Sequence, residues 1–593
     1  MTLLWLADEP AYARARVGDP GLVDAALLAT ASVGLGSVLT AAGREWVSPW
    51  PHISLDDQLV AAEEALELVN AWLAWDWAGA HEVALTVDLC RTALLLLLRD
   101  GLLAGRMATR LLDAADPPDL ALAGDDLLGQ VLHWEAERRG LLVRTLDGGS
   151  PGSSGRSIAR VLAAADTAVR WFTWRPQRSR EPTVLFAGGG IDFLNQRRVV
   201  DRLRATRTWP VVHVALHPPE MAGRGGQLAA LATPDLVLPA VSAPGALRAL
   251  GSLRRQAEQA LDHPDLPGAD RFPWLLANPW LRPTFGRRFL DGLPRAGGAY
   301  GTAGRLMDRV KPGAVVLSNA ASPRERALLR AARERGIPTV QLVHSGINDL
   351  HIHQVEADHL WVWGAAHVQQ FAATGVAPAR MRVVGSPALD PAPPTDAAAT
   401  RRALGFAAED IVFLLITASP NRLLAFIDPE GHAADLLSAC EALADVPGAR
   451  LVIKPHPRYD DLALYRRLAE RYACVTLVED SALAPLLAAC DVAVALNAAT
   501  TGALEAMLAD RPLLWCCPSS RYPVGFDLIP PGALTVHTRA EIGPTLAKLA
   551  QSAEARATVA AHGRRYRAEL LAVPPGEAPD AIAAALAELL TGV

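Results

Sequence analysis

A short apolar run, Leu451-Val452-Ile453, ends in Lys454-Pro455-His456-Pro457, which sets an ammonium and an imidazole together at a strand end. The two prolines restrict the backbone on both sides of His456, a rigidity useful where an imidazole has to be aimed. A hydrogen bond from a charged donor to phosphate contributes about 1.5–3 kcal/mol, so the pair is able to hold a monophosphate or diphosphate without a metal. Farther along, Asp491-Val492-Ala493-Val494-Ala495-Leu496 gives way to Asn497-Ala498-Ala499-Thr500-Thr501-Gly502 and then to Ala503-Leu504-Glu505-Ala506-Met507-Leu508. That order reads as strand, small polar turn and helix. Its plain reading is a helix cap. Its functional reading keeps the cap and adds an anion, with Asn497, the Thr500 and Thr501 hydroxyls, free N–H groups and the helix dipole meeting at one place. Glu505, one turn in, is either the acceptor for the two hydroxyls of a ribose or an ordinary helix-start carboxylate.

A second strand, Gly336-Ile337-Pro338-Thr339-Val340-Gln341-Leu342-Val343, closes on His344-Ser345-Gly346. A lone histidine more often has a structural role, but this one ends a strand just before the crossover into the next domain. Imidazole there suits a general base near neutral pH without large tuning. Gly188-Gly189-Gly190 lacks the full G-x-G-x-x-G pattern, so it is read as a tight strand-to-helix turn that lets backbone approach a substrate, not as a dinucleotide site. Gly188, Gly189, Gly346, Gly385 and Ser419 complete the candidate donor or acceptor contacts. The pairs Asp125-Asp126 and Glu479-Asp480 are read as solvated loop charges. With no Asp-x-Asp motif and no His/Cys cluster, neither a metal nor another cofactor is expected.

The elements that must carry these residues alternate. Thr2–Ala7 reads as a strand, and Ala61–Leu73 keeps apolar residues three and four apart, as one helix face requires. Asp119–Asp126, a strand and turn, followed by Leu127–Arg139 reads as a strand-helix unit, and Asp147–Ser157 has the Gly, Ser and Pro content of a surface loop. Strands are then expected at Thr183–Ala187, Trp209–Leu216, Leu236–Pro239, Ala314–Asn319, Asp358–Gly364 and Met381–Val384, with helices between them. Such alternation predicts parallel, doubly wound sheets. The Ala- and Pro-rich piece Pro391–Ala399 looks like the link into a second such core, which opens with Ile411–Thr417, and amphipathic helices from Glu541 to Leu590 finish the chain. No internal repeat of short period is visible.

The chain has 593 residues, too many for one compact core. It is 51% hydrophobic and 20% charged, with a formal charge of -6 spread over mixed signs, so it is globular and lacks the basic field that would hold nucleic acid. The six cysteines, Cys90, Cys440, Cys474, Cys490, Cys516 and Cys517, show no C-x-x-C spacing and read as reduced core thiols. The N-terminus has no basic leader, and the most apolar run, Ala93–Leu98, is too short to cross a bilayer. A cytoplasmic protein is expected, with a peripheral contact at the inner face of the membrane left open.

Four segments together resemble a known family. Gln341–Gly346 is similar to a His-Gly strand end, Val384-Gly385-Ser386-Pro387-Ala388-Leu389-Asp390 to a Gly-Ser/Asn-Pro-x-x-Asp segment, Lys454–Pro457 to a His-Pro motif, and Asn497–Ala506 to a hydroxyl turn plus helix. In that order they resemble bacterial surface-polysaccharide glycosyltransferases of the GT-B fold, the group of capsule sialic-acid and Kdo transferases and teichoic-acid glycerophosphotransferases. The likeness runs from Ala314 to about Leu571. It departs from the sialyltransferase-like members in having Thr500-Thr501 where they show paired serines, and in lacking an Asp/Glu-Asp-Gly base motif.

The resemblance implies two Rossmann-like domains facing a cleft: an acceptor domain over 1–347, with a largely helical elaboration within 1–157, and a nucleotide-donor domain over 348–571. Residues 572–593 are expected as a helix that crosses back to the first domain. It also implies that Lys454 and His456 contact the donor phosphate, that Thr500 and Thr501 bind the same phosphate or the nucleotide sugar, that Glu505 reads the ribose and that His344 is the base. The expected activity is metal-independent transfer of a sugar from a CMP-, CDP- or UDP-linked donor to a glycan or lipid-linked acceptor. The alternatives are a nucleotide-sugar 2-epimerase and a non-catalytic nucleotide- or carbohydrate-binding module. If His344 is the base, His344→Ala slows turnover by about 10²–10⁴-fold and leaves donor binding nearly unchanged. Near-normal turnover of that variant removes the role.

Overall fold

The computed structural model describes residues 1–77, 81–124, 126–146, 171, 174, 181–189, 191–206, 209–216, 235–238, 246–261, 263, 265–268, 281–343, 355–387, 389, 396–417, 426–456, 462–497, 501–521 and 532–591. The chain is α/β and is built on three parallel sheets. The first holds β1 (Leu3–Leu6), β2 (Leu27–Ala29), β3 (Trp46–Val47), β4 (Asp119–Ala123) and β5 (Leu142–Leu146). The second holds β6 (Thr183–Gly188), β7 (Val211–Ala215), β8 (Leu236–Val237), β9 (Pro312–Leu317), β10 (Thr339–Leu342), β11 (His359–Val362) and β12 (Met381–Val383). Next come β13 (Ile411–Ile416), β14 (Phe426–Ile427), β15 (Ala449–Lys454), β16 (Val475–Leu477), β17 (Val492–Leu496), β18 (Leu513–Cys516), β19 (Ser520–Arg521) and β20 (Leu534–Val536). Of these, β14 and β19 form a small antiparallel ladder, and the other six make the third sheet.

The strand orders are β3-β2-β1-β4-β5, β8-β7-β6-β9-β10-β11-β12 and β16-β15-β13-β17-β18-β20. Within its own run, each sheet follows the order third, second, first, fourth, fifth. The chain therefore reverses direction between the first and fourth strands of every sheet, and at that reversal the adjacent loops diverge and leave a crevice at the carboxyl ends. The strands are continuous apolar runs because both faces are covered. In β17, for example, Val492, Val494 and Leu496 enter one core and Ala493 and Ala495 the other.

The region before residue 157, expected as a helical elaboration, carries a five-stranded sheet of its own. β2 and β3 span only three and two residues, too few to show a period of two in sequence. This unit shares one apolar core with the second sheet, in which Leu3, Trp72 and Leu98 pack with Leu185, Leu317 and Ala327. Arg326, fully buried, reinforces the joint: it pairs with Glu356 at 2.6 Å and donates to the Asp88 carbonyl at 2.8 Å. Gln58 reaches the third unit, donating to the Ile427 carbonyl at 3.4 Å.

The second sheet runs on to Val383, past residue 347, because β11 extends the β10 ladder (Val340↔His359) and β12 extends β11. The last helix, Ala578–Thr591, buries Ile582, Ala585 and Leu586 against Val184, Phe186, Val340 and Trp361 of that same sheet. Leu586→Ala should cost about 2–5 kcal/mol, seen as an earlier unfolding transition in urea. A wild-type transition would mean that this helix is not seated on the sheet.

Candidate functional site

Lys454 is the last residue of β15, Thr417 follows β13 and Asn497 follows β17, on three adjacent strands. The register sets Ile416 opposite both Lys454 and Ala495, so the three strands end nearly level. Thr417 ties this edge together. Its N–H donates to the Lys454 carbonyl at 3.2 Å, and its hydroxyl accepts from the His456 N–H at 3.0 Å. Lys454 Nζ donates to the carbonyls of Glu479 at 3.2 Å and Pro455 at 3.3 Å, Glu479 following β16 on the side of β15 away from β13. Both Lys454 and His456 are half-buried. Thr417 was not singled out from sequence; the available signal was a lone hydroxyl closing an apolar strand.

Beside this edge starts the Thr501–Leu508 helix, which β17 feeds through Asn497. Asn497 is fully buried, and its φ of 58° lies in the left-handed region. Its Nδ2 donates to Asp435 Oδ2 at 2.8 Å and lies 3.4 Å from His432 Nδ1, while its Oδ1 accepts from the Ser519 N–H at 2.9 Å. Asp435, also fully buried, accepts from Arg539 Nε at 2.7 Å. Burial pushes the His432 imidazole down to about 4, with the Asp435 charge acting the other way. Expected as a nucleotide contact, Asn497 has its amide turned into the domain, where it joins the Pro429–Ala444 helix to the segment after β18. His432, Asp435 and Arg539 carried no local motif.

Glu505 is half-buried; burial raises its carboxyl above the usual range and the Arg198 guanidinium pulls it back down. Gly188 is buried under the Ile191–Thr206 helix, where an added Cβ would lie 2.9 Å from the Phe193 nitrogen and 3.1 Å from Gln196 Oε1. Close helix-strand packing therefore accounts for Gly188, and Gly189 follows it half-buried. Gly385 has a φ of +78°, and a Cβ there would come within 2.7 Å of Val573. Its surroundings are the segment leading to the last helix. His344, Gly346, Ser419 and Thr500 lie outside the described residues, and of Thr501 only the backbone is described.

Of the carboxylate pairs, Glu479 makes a two-point bond with Arg466 at 2.9 and 3.0 Å, at the surface. Asp126, read as a solvated charge, instead caps the Leu127–Arg138 helix through the Gly129 N–H and accepts from the Trp5 indole at 2.9 Å. Burial raises its carboxyl. Cys90, Cys440, Cys474, Cys490 and Cys516 are buried free thiols, and Cys517 is half-buried. Among the described residues, no group of three or more His, Cys, Asp or Glu side chains is placed to hold a metal ion, and no helix is long and apolar enough to cross a membrane.

No sequence family matches the chain, and no individually curated protein sequence does. Solved structures do. The UDP-GlcNAc 2-epimerase from Neisseria meningitidis bound to UDP-GlcNAc is 14% identical, over 68% of this chain and 100% of that one, with a TM-score of 0.44. Anabaena HepE in complex with UDP and glucose is 14% identical, over 69% and 100%, with a TM-score of 0.43. The glycosyltransferase of kitacinnamycin is 15% identical, over 70% and 100%, with a TM-score of 0.43.

The buried bonds of Asn497 generate a prediction that separates framework from ligand contact. Asn497→Ala removes hydrogen bonds worth about 1 kcal/mol each and places a Cβ-bearing apolar residue in the left-handed region, for a total of about 2–4 kcal/mol of stability. Asn497→Gly recovers only the backbone part, about 1 kcal/mol. Urea unfolding measures both. A stable Asn497→Ala protein that fails to bind nucleotide would contradict the framework role.

Proposed function

We propose that the chain is a metal-independent glycosyltransferase that moves a sugar from a nucleotide donor to a hydroxyl of a glycan or lipid-linked acceptor. What supports this reading is the placement of Lys454 and His456 after β15 and of the Thr501–Leu508 helix after β17, at the carboxyl ends of the two strands that flank β13 in the third sheet. The reversal between β13 and β17 leaves a crevice, and an ammonium, an imidazole and a helix start around it favour a phosphate. The order of motifs from Gln341 to Ala506 supports the same assignment.

In this mechanism the acceptor oxygen bonds to the anomeric carbon of the donor sugar, and its proton passes to His344. The bond from that carbon to the nucleotide phosphate breaks, and its electron pair leaves with the phosphate. Lys454 and His456 take up the charge that develops on the leaving oxygen, together with the helix start. Groups fixed in advance at the position of developing charge supply the larger share of such catalysis. The carbonyls that hold Lys454 and the Thr417 hydroxyl that holds the His456 backbone provide this fixing. Glu505 takes the ribose hydroxyls.

A melting screen with CMP, CDP, UDP, GDP and dTDP tests the reading. A nucleotide that binds only the folded chain adds about 2.7 kcal/mol of stability at a hundred times its Kd. One or more of the five should raise the melting temperature, and Lys454→Ala or His456→Ala should weaken that nucleotide by about tenfold or more. If none of the five stabilises the protein, or if both variants bind as wild type, the proposed site is wrong.

A further inference from the structure

The carboxyl edge of the third sheet turns on Asn497, and a neighbour of Asn497 can titrate. His432 lies in the first turn of the Pro429–Ala444 helix and is 3% exposed. The Asn497 amide is oriented by its other bonds, since Oδ1 accepts from the Ser519 N–H and Nδ2 donates to Asp435 Oδ2. Nδ2 is therefore the atom that lies 3.4 Å from His432 Nδ1, and as a donor it requires that nitrogen to be unprotonated. The proton of the neutral ring then sits on Nε2, which has no hydrogen-bond partner among the described residues. A second proton goes to Nδ1 and sets two donors face to face. Asn497 cannot turn its oxygen to the ring without giving up its bonds to both Ser519 and Asp435.

We propose that His432 is a positioning residue for the donor edge: as the neutral ring it holds the Asn497 amide, and through it the start of the Thr501–Leu508 helix, and protonation releases both. This rests on the reading of that edge as the nucleotide site. The surrounding charges are already engaged. Asp435, one turn along the same helix, attracts the proton, but its Oδ2 is held by Asn497 and its Oδ1 by Arg539, which also donates to the Gly431 carbonyl at 3.2 Å. Asp428 accepts from the Glu430 N–H at 3.1 Å, Glu430 bonds to Ser48 of the first unit, and burial keeps the Cys516 thiol beside Asp435 protonated. Burial outweighs the Asp435 charge and pushes the imidazole from its ordinary 6.5 down to about 4. The folded chain thus binds this proton less well than the unfolded chain, so the stability His432 supplies is complete above pH 6.5 and is lost as the pH falls toward 4.

The test uses the full chain in two arms. Urea unfolding is followed across acid pH for wild type and for His432→Asn, whose side-chain oxygen reaches close to the position of Nδ1 but takes no proton. We expect the unfolding constant of wild type to rise, relative to His432→Asn, by about tenfold or more between about pH 6.5 and pH 4.5. His213, whose imidazole burial also depresses, is present in both and cancels. Parallel pH profiles overturn the proposal. In the second arm, calorimetry at neutral pH measures the affinity for whichever of CMP, CDP, UDP, GDP and dTDP raises the melting temperature most. His432→Gln, which carries its amide out to the position of Nε2, should weaken that nucleotide by about tenfold, and His432→Asn should restore most of the loss; His432→Leu takes the place of His432→Gln if the latter does not fold. Wild-type affinity in the variant lacking the acceptor, when Lys454→Ala has lost it, overturns the positioning role and leaves the nucleotide site standing. Wild-type affinity in Lys454→Ala as well, or no nucleotide binding by the wild type, overturns the nucleotide site itself and the positioning role with it.

Discussion

The geometry of the third sheet's carboxyl edge depends on one buried amide. Asn497 lies where β17 must stop and a helix must begin, and its backbone turns through the left-handed region to do so. A buried amide left unpaired costs about 1–3 kcal/mol. Here Asp435 and Ser519 pair it from opposite sides, and Arg539 in turn neutralises Asp435. Four elements are thereby fixed relative to one another, and with them the direction of the Thr501–Leu508 helix. Thr417 performs the matching task one strand away, joining the ends of β13 and β15.

All three sheets share the order that opens a crevice, yet the crevices are chemically different. In the first, Asp8 and Asp126 already cap the two helices beside it through the N–H groups of Ala11 and Gly129, so negative charge occupies the positions an anion would want. In the second, Gly188 is packed tightly under the Ile191–Thr206 helix, and the Gln196 amide is bonded to Ala187 and Ser318, both at 3.0 Å. Among the described residues, only the third has a lysine and a histidine at a strand end together with the start of a strand-fed helix. Topology opens a crevice in each sheet, and the third is the one we propose for phosphate.

The alternation of buried strands and helices could be read from sequence, because parallel strands covered on both faces are plain apolar runs. So were the polar residues that end those runs, Lys454 and the Asn497 turn. The strands of two or three residues in the first sheet were not, since a run that short has no period. Nor was the extent of the second sheet, because pairing of β10 with β11 is a tertiary event across an intervening segment. The role of Asn497 was hidden for a similar reason. Asp435 is 62 residues away from it, and Arg539 is a further 104 from Asp435. No local pattern distinguishes an asparagine that faces a ligand from one that faces a buried carboxylate.

The most direct measurement is a crystal structure of the chain with its best-stabilising nucleotide, read for the position of the phosphate. Density between Lys454, His456 and the first turn of the Thr501–Leu508 helix is the expected result. A phosphate at the Gly188 turn of the second sheet, or at the Asp8–Asp126 end of the first, would contradict the assignment of the donor site to the third.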